Sequence, residues 1–161
     1  MNEHQQLLPL LRNEEAELQF EAFTNDAALA LGLAIVAIAR HESLAIAIDI
    51  ARHGQQLFHC AMPGTSADND AWVERKKRVV ARFSKSSWHV GTICRAQGVT
   101  FEEKYRLDRD LYAASGGGFP VTVCRVGVVG TIAVSGLPQA EDHALIVRAL
   151  REFLATTGKT A

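Results

Sequence analysis

Residues 44–62, LAIAIDIARHGQQLFHCAM, decide the fold. Leu44, Ile46, Ile48 and Ile50 alternate with Ala45, Ala47 and Asp49, a period of two carried by β-branched residues, which predicts a strand. Arg52-His53-Gly54 then reads as a turn, Leu57–Met62 as the returning strand, and Pro63-Gly64 as its end. A second hairpin is predicted further on. Ser115-Gly116-Gly117-Gly118 breaks the chain, Phe119-Pro120 leads into Val121–Cys124, and Gly127 turns the chain into Val128–Val134.

Helical patterns surround these hairpins. Ala27–Ala39, AALALGLAIVAIA, is apolar on every side, with Thr24 or Asn25 as N-cap and Asp26 in its first turn, and continues to about Arg40. Such a helix must be covered on most sides, under a sheet or against a partner subunit. A shorter amphipathic helix is expected near 8–21, with Pro9 in its first turn. Between about Asp68 and Lys85, Trp72, Lys76, Val79 and Phe83 share one face, while Arg75, Arg78 and Arg82 form a separate stripe. Ser84–Gln97 reads as a further helical piece and Phe101–Tyr112 as a charged helix or surface loop. Ser135-Gly136-Leu137-Pro138 opens the last helix, with Glu141 and Asp142 near the positive end of its dipole. Hairpins separated by helices imply an α/β protein of the α+β type, with an antiparallel sheet between helical layers. No linker or internal repeat divides residues 1–161.

Composition narrows the class. A chain of 161 residues is long enough to bury about 70% of its unfolded surface. With 17 basic against 18 acidic residues, no overall field draws it to nucleic acid or anionic lipid. Cys60, Cys94 and Cys124 are widely spaced and lack CxxC pairing, so they read as reduced core thiols. The N-terminal MNEHQQLLPLLRNEEAE has no basic region and turns acidic where a signal peptide needs small residues, so a cytoplasmic protein is expected. The Ala-rich run falls short of the roughly 20 residues that span a bilayer.

Four features could carry chemistry. SGLPQAEDH (Ser135–His143) places a helix start where free N–H groups can hold an anion, or where a cap simply closes the helix. His143 shares a face with Ile146, Leu150 and Phe153, as a satisfied core histidine, a metal or haem ligand, or a general base. Gly116, Gly117 and Gly118 permit close approach of a ligand, or serve as entry to an edge strand, and are neither a GxGxxG nor a P-loop element. The run Trp72–Arg78 reads as a solvated basic face, except Lys76. Lying in the apolar stripe, Lys76 must snorkel, pair with a carboxylate such as Asp142, or meet a ligand's negative group. HExxH, GxSxG, CxxC and acidic ligand clusters are all missing, so no metal site is assigned.

Taken in order, DNDAWVERKKRVVARFSKSS (Asp68–Ser87), GGGFPVTV (Gly116–Val123) and GTIAVSGLPQAEDH (Gly130–His143) resemble an uncharacterised bacterial and fungal branch of the haem-binding HbpS/GlcG-like superfamily, catalogued as haem-degrading-domain proteins. The resemblance implies a profilin-like three-layer α/β/α sandwich with a central antiparallel sheet, assembled into dimers or higher rings, with residues 1–23 as an N-terminal helical extension. It also implies haem or another tetrapyrrole as the first ligand to test, although the superfamily's haem-ligating histidine has no counterpart that can be placed here. The leading expectation is a non-catalytic, oligomeric small-ligand-binding protein whose site comprises Lys76, Gly116, Gly117, Gly118, Phe119, Ser135, Gly136 and His143. The alternatives are an enzyme acting on haem or a small anionic substrate, with His143 as acid/base and Lys76 as clamp, and a non-catalytic interaction scaffold.

Overall fold

The His53-Gly54 turn sets the sheet going: both residues have positive φ, 50° and 81°, the twist that lets two strands run back on each other. A computed structural model describes residues 1–157. The turn joins β1 (Ala47–Arg52) to β2 (Gln55–Ala61), and Arg125 and Gly127, again at positive φ, turn β3 (Gly118–Val123) into β4 (Gly127–Ser135). The order is β2-β1-β4-β3, antiparallel throughout, with Asp49 opposite Ala133 and Phe119 opposite Ile132. Both hairpins thus share one sheet, as their pattern predicts.

Alternation then assigns the two faces. Ile46, Ile48, Ile50, Phe119, Val121, Ile132 and Val134 bury against α2 (Asn25–His41) and α6 (Gln139–Thr157). Ala47 and Ala133 face the other way, onto Val73 of α3 (Ala67–Phe83). Small residues on that face let α3 approach closely, completing three layers. α4 (Ser87–Ala96) and α5 (Phe101–Tyr105) add a second cluster, in which Val79, Val90, Cys94 and Phe101 are buried.

Four boundaries differ from the sequence reading. α1 runs over Glu3–Glu17 rather than 8–21, because Asn2 and Gln5 form a capping box that starts it earlier. Pro9 therefore lies inside the helix, on its exposed side, where the missing N–H faces solvent. Ser84 turns left-handed (φ 54°) and ends α3, and the Ser86 hydroxyl accepts from His89 N–H at 3.1 Å to start α4. Arg106, also left-handed, stops α5 after five residues, leaving 107–112 as loop. Thr24 is the cap of α2, its hydroxyl accepting from Ala27 N–H at 3.0 Å. Beyond α1 the chain runs along the outer edge of β3, where Phe20 N–H donates to Thr122 O and Cys124 N–H to Phe20 O, both at 2.8 Å.

The Ala-rich helix is covered on one side only. Ala28, Leu31, Gly32, Ile35 and Ala39 are buried, whereas Leu29 and Leu33 remain 48% and 54% exposed. No helix among the described residues is long and apolar enough to cross a membrane.

Candidate functional site

Helical spacing on α3 drives Lys76 into the protein with Val73, Val79 and Val80, and it ends 3% exposed. Its Nζ donates to Val134 O at 3.0 Å and to Asp142 Oδ2 at 3.1 Å. Asp142, in the first turn of α6, accepts from Leu137 N–H at 3.1 Å and from Gly136 N–H at 3.4 Å. The bend at Ser135–Leu137 therefore directs its amides to an internal carboxylate, where the sequence alone left room for an outside anion. Burial pushes the Lys76 ammonium below its ordinary range, opposed by the charge of Asp142. Burial likewise pushes the Asp142 carboxyl up, opposed by Lys76 and the two amides.

Gly117 is what lets the ammonium sit there. At φ 126° it occupies backbone space that side chains rarely enter, and a Cβ would lie 2.7 Å from Lys76 Nζ. Above the pair opens a cleft of about 390 Å³, lined by Asp68, Asn69, Trp72, Lys76, Ser115, Ser135, Gly136, Leu137, Gln139 and Asp142. The Gln139 side chain accepts from Gly116 N–H at 3.3 Å, holding the glycine loop against the α6 start. An ammonium offers three N–H donors. The fold uses two of them, to Val134 O and Asp142 Oδ2.

Of the residues picked from sequence, the structure gathers Lys76, Ser135 and Gly136 on this cleft, with Gly116 and Gly117 packed behind it. Gly118 N–H donates to Ser87 Oγ at 2.9 Å inside the protein. Phe119 points to the opposite face of the sheet, 1% exposed. His143 goes with Phe119: its ring lies 6.0 Å from that of Phe119 and 6.4 Å from that of Trp88, centroid to centroid. Its Nε2 is 2.7 Å from Glu14 Oε2, and its Nδ1 is buried with no hydrogen-bond partner. Ser115 and Gln139 were not among the residues picked from sequence, although Gln139 lies within SGLPQAEDH and Ser115 opens the glycine break. Nor were Glu14 and Glu15. Glu15 holds His89 Nδ1 at 2.9 Å, so adjacent carboxylates tie α1 to α6 and α4.

The basic run on α3 is not simply a solvated face. Arg75 lies over the Trp72 ring at 4.1 Å and its Nε donates to Arg109 O at 3.1 Å. Arg78 donates to Leu111 O at 3.1 Å, so the stripe anchors the 107–112 loop. Lys77 reaches through to Asp49, which is 1% exposed, at 2.9 Å, and to Glu74 at 3.1 Å. Burial pulls the Lys77 ammonium down, and these carboxylates more than reverse it, leaving it above its ordinary value of 10.5. The folded state then holds this proton to higher pH than the unfolded chain, so the contribution is fully present below pH 10.5 and fades as pH rises through the folded value. The stability difference between wild type and Lys77→Met, from urea unfolding at several pH values, is expected to be constant at neutral pH and to shrink above about 10.5.

The three cysteines are free, and burial pushes the Cys94 thiol up, which favours the protonated form. Among the described residues no group of three or more His, Cys, Asp or Glu is arranged to hold a metal ion.

A four-stranded antiparallel sheet layered by helices, with a polar cleft at the junction of its third helix and last strand, defines an α+β protein. Residues 23–151 match the family described as haem degrading protein, HbpS-like, and the chain belongs to that family. It is 58% identical over 144 residues to the UPF0303 protein SCO2848 of Streptomyces coelicolor, covering 89% of this chain and 91% of that one. The crystal structure of the Ybr137w protein is similar with a TM-score of 0.86 and 32% identity, covering 93% of this chain and 88% of that one. A structure described as a PduOC:heme complex shares the fold at a TM-score of 0.66 and 17% identity, covering 81% of this chain and 94% of that one.

Proposed function

We propose that the protein is a cytoplasmic, non-catalytic small-ligand-binding subunit of a homo-oligomer, without a nucleic-acid or membrane partner, and that its ligand sits in the cleft above Lys76. One observation carries this reading: a buried ammonium lining the cleft, of whose three N–H donors the fold uses two. Ser135, Asn69 and Gln139 add neutral hydrogen-bonding groups, and Trp72 a flat wall. These suit a small polar molecule with a carbonyl or carboxylate acceptor and a planar part. Lys76 and His143, needed together for the enzymatic reading, do not face one cleft.

Native mass spectrometry of protein purified from its own cells tests this. The expected result is a retained small molecule that is missing from Ser115→Trp, whose indole fills the cleft. The bare subunit mass in both proteins would overturn the reading.

A second reading, haem binding, draws on the family and on the heme complex of the PduOC relative. The cleft does not fit haem, since no His, Cys, Met or Tyr lines it to supply an axial ligand. His143 fits better: its Nδ1 is buried without a partner, beside the rings of Trp88 and Phe119. Haem held there would supply redox and oxygen chemistry, while this chain's Glu14 would orient the imidazole through Nε2. Hemin titration should then give a Soret shift that His143→Ala abolishes and Ser115→Trp retains. No shift in wild type, or one that His143→Ala leaves unchanged, would sink it.

A further inference from the structure

The exposed side of α2 has a symmetry of its own. Asp26, Leu29, Ala30, Leu33, Ala37 and Arg40 are all exposed and fall on one stripe of the helix. Positions 26 and 40 lie equally far from 33, as do 29 and 37, and no charge interrupts Ala27–Ala39. Neither Asp26 nor Arg40 takes part in an ion pair among the described residues. Every other feature of the fold leaves this stripe unpaired, yet Leu29 and Leu33 are the bulkiest exposed aliphatic side chains of the helix.

We propose that α2 is a two-fold interface, packing antiparallel against α2 of a second copy of this chain with the axis at Leu33. The oligomer in the reading above has no face assigned to it. This interface supplies one, and it stands independently of any ligand. The two-fold operation sets Asp26 against Arg40 of the partner subunit at both ends, each about 10 Å along the helix from the axis. It sets Leu29 against the partner's Ala37, large against small, and Leu33 against its own copy. An isologous contact requires this self-complementarity. The helix dipoles oppose, so each acidic N-terminal end meets a basic C-terminal one, where Arg40 and His41 occupy the last turn. The small residues between the leucines allow close approach of the two helices. A partner of different sequence would not need positions equidistant from Leu33 to complement one another in charge and size.

Sedimentation velocity and site-directed crosslinking test the proposal. Wild type should sediment as a dimer or a multiple of one, and Leu33→Glu, which opposes two carboxylates at the axis, should weaken association at least tenfold while circular dichroism stays native. Asp26→Arg alone should weaken association, and Asp26→Arg with Arg40→Asp should restore it. Leu33→Cys should crosslink to itself under oxidation, whereas Leu29→Cys should crosslink only when Ala37→Cys is also present. A wild-type monomer, an assembly that Leu33→Glu leaves intact, or a charge exchange that restores nothing would overturn it.

Discussion

Lys76→Met is expected to lower stability by about 3–5 kcal/mol, because it leaves the Asp142 carboxylate buried without its counter-charge. The Asp142 side chain is only 2% exposed and that of Lys76 only 4%, so water has little room to take the place of the lost partner. Two backbone amides, from Gly136 and Leu137, would remain as its donors. Asp142→Leu alone should cost a similar amount, since it strands both the ammonium and the amides. The double variant, Lys76→Met with Asp142→Leu, should regain most of the loss but not all, because the bend at Ser135–Leu137 has still lost its cap. Urea unfolding of the four proteins gives the coupling directly. A Lys76→Met loss below about 1 kcal/mol would mean that the pair is hydrated and contributes little.

Phe119→Ala is expected to cost about 3–5 kcal/mol as well, through the cavity it leaves. Phe119 is among the largest fully buried side chains, and its ring meets Ile132 across the sheet and His143 on α6. Alternation along β3 explains why it is core rather than cleft: Gly118 and Pro120 face α3, and Phe119 and Val121 face α6. The substitution should therefore reduce the unfolding midpoint in urea and still leave the retained small molecule in place. A loss of that molecule together with less than about 1 kcal/mol of stability would identify Phe119 as a ligand contact and move the site to the other face.

Much of this was legible in the sequence for a physical reason that differs element by element. The first hairpin shows because its isoleucines alternate, and because His53-Gly54 can adopt the positive φ that the turn needs. The Lys76–Asp142 pair shows because an ammonium within an apolar helical stripe has few ways to be satisfied, and a carboxylate in the first turn of the next packed helix is one of them. The α1 start was missed because Asn2–Gln5 capping outweighs the usual preference of proline for a first turn. Local pattern also hid the ties of Glu14 and Glu15, since His143 lies 129 residues from Glu14. Periodicity on one helix says which residues share a face, and nothing of which loop that face holds. For that reason Arg75 and Arg78 read as solvated when they in fact grip Arg109 and Leu111. His143 was correctly placed on a buried face, but that face looks onto α1 and Phe119, not onto the cleft beside Ser135.

The central claim is that the cleft above Lys76 is a ligand site, and a crystal structure of the protein purified from its own cells tests it most directly. Density for a small molecule is predicted between Trp72 and Ser135, with an acceptor atom within hydrogen-bond distance of Lys76 Nζ. A cleft holding only water, while a bound molecule lies beside His143 or elsewhere, would contradict the account.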